Sequence, residues 1–168
     1  TTITLLEAVK DHAQLRVALG PQATISSGRL LTEGRCQGVL IGEPEGTFLD
    51  LCRWFKRGRL PKRPLAGLQV QADKPAKSRP FLTDLDSLPI PAQHLLAVQG
   101  YRFRYPLDVE GPLKIGYVLT SRGCALRCVF CSPIERETVG RKYRWRSPEH
   151  ICDELERCRA LGLNGVYF

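Results

Sequence analysis

The sequence predicts an α/β protein made of two strand–helix segments joined by a proline-rich stretch. Three observations carry this. In the first sixty residues, strand-like runs that stop at glycine alternate with amphipathic helical runs. Prolines at positions 61, 64, 75, 80, 89 and 91 then interrupt the pattern among lysines and arginines. A second strand, helix and strand follow from Lys114 to the end of the chain.

Taken in order, residues 4–12 read as the end of a helix, with Leu5, Leu6, Ala8 and Val9 on its apolar side. Residues 15–19 are strand-like and stop at the turn signal Gly20-Pro21. A short helix is expected over 28–33 and a strand over 38–41, ended by Gly42. Residues 47–56 place Phe48, Leu51, Cys52 and Phe55 at helical spacing, and Gly58 fits the stop. This order implies a parallel unit. Residues 61–112 read as a linker, with a short hairpin near 65–71 and extended chain after it. In Ser147-Pro148-Glu149, serine caps a helix, proline takes its first turn and glutamate faces its positive end. Ile151, Leu155 and Cys158 line the inner face of this helix, with Leu161 near its end. Gly162 stops it and a strand begins at Gly165.

The chain has 168 residues, 43% hydrophobic and 25% charged, the balance of an ordinary globular protein. No apolar run reaches membrane-spanning length, and no signal-peptide pattern opens the chain. Seven cysteines without a secretion signal argue for a reducing cytoplasm, where thiols bind metal or stay free. The net charge of +8 is read as a solvated basic surface rather than a nucleic-acid footprint. The chain opens Thr1-Thr2 and contains no methionine, so a preceding segment is expected.

The chemistry sits in Cys124-Ala-Leu-Arg-Cys128-Val-Phe-Cys131, directly after the apolar stretch 113–120. Three thiolates this close can wrap one metal centre. A cubane iron–sulfur cluster takes four cysteines when the protein saturates it, so three leave one iron open to another ligand. Structural zinc uses paired cysteines with a second pair or histidines at a distance, and the loop has no second pair. A zinc module or a plain electron-transfer cluster remains the alternative from spacing alone.

Residues 120–131, Thr-Ser-Arg-Gly-Cys through Cys131, resemble the cluster loop of radical S-adenosylmethionine (SAM) enzymes. The stretches Val17-Ala-Leu-Gly-Pro-Gln-Ala-Thr24 and Gly38-Val-Leu-Ile-Gly-Glu-Pro-Glu45 resemble strand ends of a doubly wound cobalamin-binding domain. Asp84-Leu-Asp-Ser-Leu-Pro-Ile-Pro91 is similar to the bridge between the two. The resemblance implies the C-terminal part of a cobalamin-binding domain over 1–60, a linker over 61–112, and the first units of a partial radical SAM (β/α) barrel over 113–168. It implies that Cys124, Cys128 and Cys131 hold a [4Fe–4S] cluster whose open iron chelates SAM, and that Phe130 lies near the adenine. Gly20, Gly42 and Glu43 would approach cobalamin. The reduced cluster would cleave SAM to methionine and a 5′-deoxyadenosyl radical, with methylcobalamin as methyl donor. A small-molecule or lipid-like substrate and a flavodoxin or ferredoxin reductant follow from the same resemblance, and the barrel is expected to continue past Phe168. Residues 1–168 alone are therefore expected to be inactive. No residue is assigned as a catalytic acid or base.

Two features depart from the family pattern. The Asp-x-His-x-x-Gly element that supplies an axial histidine is not present, and Leu19-Gly20 stands where two glycines are usual. Extra cysteines keep a transfer-RNA-modifying methylthiotransferase as the alternative. Cys36, Cys52, Cys152 and Cys158 are read as packed thiols, His12, His94 and His150 as isolated, and the basic run 141–146 as structural.

Overall fold

The computed structural model describes residues 2–33, 36–56, 64–100, 113–131, 136 and 138–168. Gly58 lies outside them. The chain packs as two units, Thr1–Leu82 with Gly123–Lys142, and Thr83–Arg122 with Tyr143–Phe168. The first unit thus extends past the sequence-based limit at residue 60 and takes in the cysteine loop.

The first unit runs α1 (Thr2–Ala8), β1 (Val17–Ala18), α2 (Pro21–Ile25), α3 (Ser27–Thr32), β2 (Gly38–Leu40), α4 (Glu45–Phe55) and β3 (Leu68–Gln69). Strand β2 is central, parallel to β1 (Val17↔Gly38, Ala18↔Val39) and antiparallel to β3 (Val39↔Gln69, Leu40↔Leu68). Successive side chains of a strand point to opposite faces. Accordingly Val39 packs with Ala18, Ala23, Leu30 and Cys36, while Leu40 packs with Leu51 and Leu68. Both are fully buried, and burying a side chain of this size contributes roughly 1.5–3 kcal/mol. Covering both faces explains why β2 is apolar without alternation.

Two expectations change. Gly20-Pro21 does not merely end a strand: Pro21 opens α2, its fixed φ suited to the first helical position. The hairpin expected at 65–71 is instead a third strand of the main sheet. Leu68 gains more by closing the core around Leu40 and Leu51 than a local hairpin offers. The turn into β3 needs Gly67, whose φ is +82° and whose absent Cβ is the space taken by Thr47. Thr47 is itself fully buried, and its hydroxyl donates to the Ala66 carbonyl at 3.1 Å.

In the second unit, β4 (Ile115–Tyr117) and β7 (Gly165–Tyr167) pair in parallel. The helix α5 (Pro148–Ala160) connects them through the residues that precede it. A second ladder pairs β5 (Ser121–Arg122) with β6 (Arg144–Trp145) antiparallel. The Ser147 hydroxyl accepts from the His150 N–H at 3.1 Å, the cap that the sequence announces. Val118, Cys158 and Leu163 form the core, with Ile151, Leu155 and Leu161 around it.

The inner face of α5 also buries a charge. Glu154 is 1% exposed and pairs with Arg146, which is 9% exposed. The same guanidinium donates to the Leu119 carbonyl at 2.9 Å and the His150 carbonyl at 3.1 Å. Asp86 reaches the start of α5, its carboxylate accepting from the Ser147 N–H at 3.0 and 3.1 Å and lying 3.1 Å from His150 Nδ1. Hydrogen bonds from Ser147, side chain first and then backbone, hold the Asp86 carboxyl below the usual carboxylate range, and the charge of His150 adds to them.

Two outcomes are expected. Gly67→Ala loses about 1–2 kcal/mol from the left-handed backbone alone, and the clash with Thr47 adds to it. Urea unfolding should show this loss, whereas Gly100→Ala, whose methyl meets nothing within 4 Å, stays near the parent. For Asp86, the folded state binds the proton less well than the unfolded chain, so its contribution is complete above about pH 3.9 and fades as the pH falls through the lower folded value. Asp86→Ala should therefore lower Tm at neutral pH, and the gap to the parent should close in acid; a gap that persists unchanged in acid would contradict the assignment.

Candidate functional site

The cysteine loop leaves β5 and rejoins the chain at β6. Its neck is closed by backbone. Gly123 has φ +92°, and a Cβ there would run into the Lys142 carbonyl. The Cys124 N–H donates to the Gly140 carbonyl at 3.2 Å. Only glycine allows this combination of a left-handed φ and a carbonyl in the side-chain position.

Beyond the neck the loop opens. Cys124 is half-buried, while Cys128 and Cys131 are exposed, and none of the three is in a disulfide. The Cys131 N–H donates to the Cys128 carbonyl at 3.2 Å, a turn that brings these two residues close. Val129 and Phe130, between them, are almost wholly exposed. Among the described residues, no group of three or more His, Cys, Asp or Glu side chains is arranged to hold a metal ion. The structure thus brings the three cysteines to one loop without converging their sulfurs. The donor set is still specific: three soft thiol ligands on one loop with a fixed neck suit an iron–sulfur cluster.

The other thiols divide. Cys36 and Cys158 are buried, and burial is the main cause pushing both thiols up, with the charge of Glu154 adding at Cys158. Such thiols stay protonated and inert. Cys52 is half-buried. Cys152 is exposed, which corrects its reading as a packed thiol: six residues from Cys158 on a helix, it falls on the outer side.

Gly20 and Gly42 come together through a residue that the sequence reading passed over. The Thr24 hydroxyl donates to the Gly20 carbonyl at 3.1 Å and accepts from the Gly42 N–H at 3.2 Å. This ties the ends of β1 and β2 to each other. Thr24 lies four residues after Gly20 on a short helix, a spacing at which threonine bonds back to a carbonyl, so the signal was available. The Glu43 side chain is buried, and its Oε2 accepts from the Leu82 N–H at 2.8 Å. Nothing local in the sequence points to that partner, 39 residues away.

Of the basic run 141–146, Arg146 is internal, as described, and Tyr143 stacks on Trp145 with ring centroids 5.7 Å apart. His150 is not isolated: its Nδ1 lies 3.1 Å from both Arg146 Nε and Asp86 Oδ1. No helix among the described residues is long and apolar enough to cross a membrane.

Comparison with known proteins adds relatives. No family model matches the chain. It is 33% identical over 140 residues to an uncharacterized methyltransferase of Pyrococcus horikoshii, an alignment that covers 81% of the chain and 28% of the relative. It is 32% identical over 156 residues to cytidylyl-2-hydroxyethylphosphonate methyltransferase of Streptomyces wedmorensis, covering 77% of the chain and 28% of the relative. Anaerobic magnesium-protoporphyrin IX monomethyl ester cyclase of Cereibacter sphaeroides is 28% identical over 149 residues, 85% of the chain and 23% of the relative. The chain therefore spans about a quarter of the length of these relatives.

Among solved structures, the radical SAM methyltransferase TsrM of Kitasatospora setae shares the fold. The form with tryptophan and a SAM analogue matches with a TM-score of 0.64 at 20% identity, covering 98% of this chain and 31% of TsrM. The form with cobalamin and a [4Fe–4S] cluster matches with a TM-score of 0.64 at 19% identity, covering 98% and 32%. The sequence relatives thus include two methyltransferases, and the fold of the chain is the one seen in the radical SAM methyltransferase TsrM.

Proposed function

We propose that this chain is the part of a cobalamin-dependent radical SAM methyltransferase in which the corrinoid-binding domain meets the start of the SAM-cleaving barrel. Residues 1–60, whose sheet β3 completes, form the corrinoid side, the rest of 61–112 the connection and 113–168 the first barrel units. The observation that carries the reading is the loop of three closely spaced cysteines with a glycine-closed neck, in a chain whose relatives include two methyltransferases.

Cys124, Cys128 and Cys131 are the ligands of a [4Fe–4S] cluster, and Phe130, between two of them, lies against the adenine of SAM. A bound cluster would supply one-electron reduction of SAM, and bound cobalamin would supply methyl transfer. The chain's own residues hold and orient. The neck at Gly123, Cys124 and Gly140 fixes where the thiols project. Gly20 and Gly42, joined by Thr24, present bare backbone to the corrinoid, and Glu43 braces the end of β2 from the side. The substrate is a small or lipid-like molecule, as TsrM acts with tryptophan in its site. The reductant is a flavodoxin or ferredoxin, the compartment the cytoplasm, and nucleic acid is not the substrate.

Two measurements test this in the full-length protein. After anaerobic reconstitution with iron and sulfide, alanine at Cys124, Cys128 or Cys131 should abolish the visible iron–sulfur absorption, whereas Cys152→Ala, at an exposed thiol, should keep it. A fully retained cluster in Cys128→Ala would overturn the assignment. Supplied with cobalamin under the same conditions, the folded protein should retain it through desalting and show a corrinoid spectrum. Absence of any bound corrinoid would remove cobalamin from the reading and leave the cluster assignment standing.

A further inference from the structure

The dipeptide Phe81-Leu82, at the end of the first stretch of that unit, touches both the end of β2 and the neck of the cysteine loop. The Leu82 N–H donates to Glu43, which is buried. The Phe81 ring edge, at Cδ2 and Cε2, lies 2.9 Å from where a Cβ on Gly140 would stand. Its Cε1 is 3.9 Å from the corresponding point on Gly42, with the Thr138 carbonyl at the same distance. Thr138 is itself buried, and Gly140 accepts from the Cys124 N–H. A line of contacts therefore runs from Glu43 through Leu82 and Phe81 to Gly140 and Cys124.

Phe81 is placed unlike a core residue. The residue is 38% exposed, so less burial energy is at stake than for a fully enclosed ring. The part in contact is an edge, set into the space that a glycine leaves by having no side chain. A flat, stiff ring set against Gly140, with its neighbour Leu82 tied to Glu43, sets a spacing, whereas a flexible side chain would only fill volume.

We propose that Phe81 is a positioning residue: its ring sets the cysteine loop against the end of β2 and so fixes the separation between the groups that these two places hold. The identity of those groups rests on the function proposed above; the wedge itself rests on the contacts. Glu43 contributes by anchoring the backbone beside the ring.

The test compares Phe81→Ala, Phe81→Tyr and Phe55→Ala in the full-length protein. Phe55→Ala removes a ring of similar exposure, 43%, from α4. Hydrogen–deuterium exchange without any cofactor is the first readout. In Phe81→Ala the Cys124 amide should exchange about tenfold faster, the scale of one net hydrogen bond, with the amides of α5 unchanged. Phe81→Tyr, which keeps the ring, and Phe55→Ala should stay at the parent rate. The second readout is electron paramagnetic resonance of the protein loaded with reduced cluster and cob(II)alamin, in which the magnetic coupling between iron and cobalt should change in Phe81→Ala alone. Parental exchange at Cys124 in Phe81→Ala, or an equal change in Phe55→Ala, overturns the proposal. Should circular dichroism show Phe81→Ala unfolded, Phe81→Leu, apolar but not planar, carries the same comparison. A parent protein that loads neither cofactor refutes the functional reading, and the exchange arm still decides the role of Phe81.

Discussion

A carboxylate taken out of water has to be matched, and the second unit is arranged around that requirement. Glu154 is 1% exposed on the inner face of α5. Removing one partner from a buried pair of this kind costs about 3–5 kcal/mol, because the other charge stays behind uncompensated. Arg146 supplies the match, and other donors of its guanidinium go to two carbonyls and to His150 Nδ1. Those carbonyls belong to Leu119, just past β4, and His150, in the first turn of α5. The Arg146 N–H also donates to the Thr120 carbonyl at 2.9 Å. Through its side chain and its backbone, Arg146 thereby fixes the chain just past β4.

The first unit solves its problem without charge. A three-residue strand, β2, is covered on both faces, so register is held by Val39 and Leu40 facing opposite cores. Polar contacts appear at the strand ends, where Thr24 joins two turns and Glu43 accepts from Leu82. Apolar burial thus sets the sheet, and hydrogen bonds set the turns at its end.

Local signals were legible in the sequence. The start of α5 follows from Ser147-Pro148-Glu149, and the cysteine triplet declares itself by spacing. Parallel pairing of β1 with β2 follows from the strand–helix–strand order. What could not be read was long-range. Residues 65–71 look like a hairpin because glycine and alternating residues are hairpin chemistry, yet Leu68 pairs with Leu40, 28 positions back. Glu154 looks like an ordinary helical surface charge until Arg146 is found beneath it. Phe81 carries no motif at all, and only the close approach to Gly140 gives it meaning. Spacing puts the three cysteines on one loop but does not say whether their sulfurs meet, and among the described residues they do not form a metal-holding group.

The exposure of the loop tip has a consequence for how the protein must be handled by the cell. Cys128 and Cys131 stand in solvent on either side of Val129 and Phe130, two apolar side chains with almost no cover. Accessible thiols oxidise through sulfenic acid to forms that no longer bind metal, the later steps being irreversible. Under the function proposed above, loading would be a race between iron delivery and oxygen, and a bound cluster would stabilise the folded chain by mass action, so maturation in the absence of air would act on longevity as much as on reactivity.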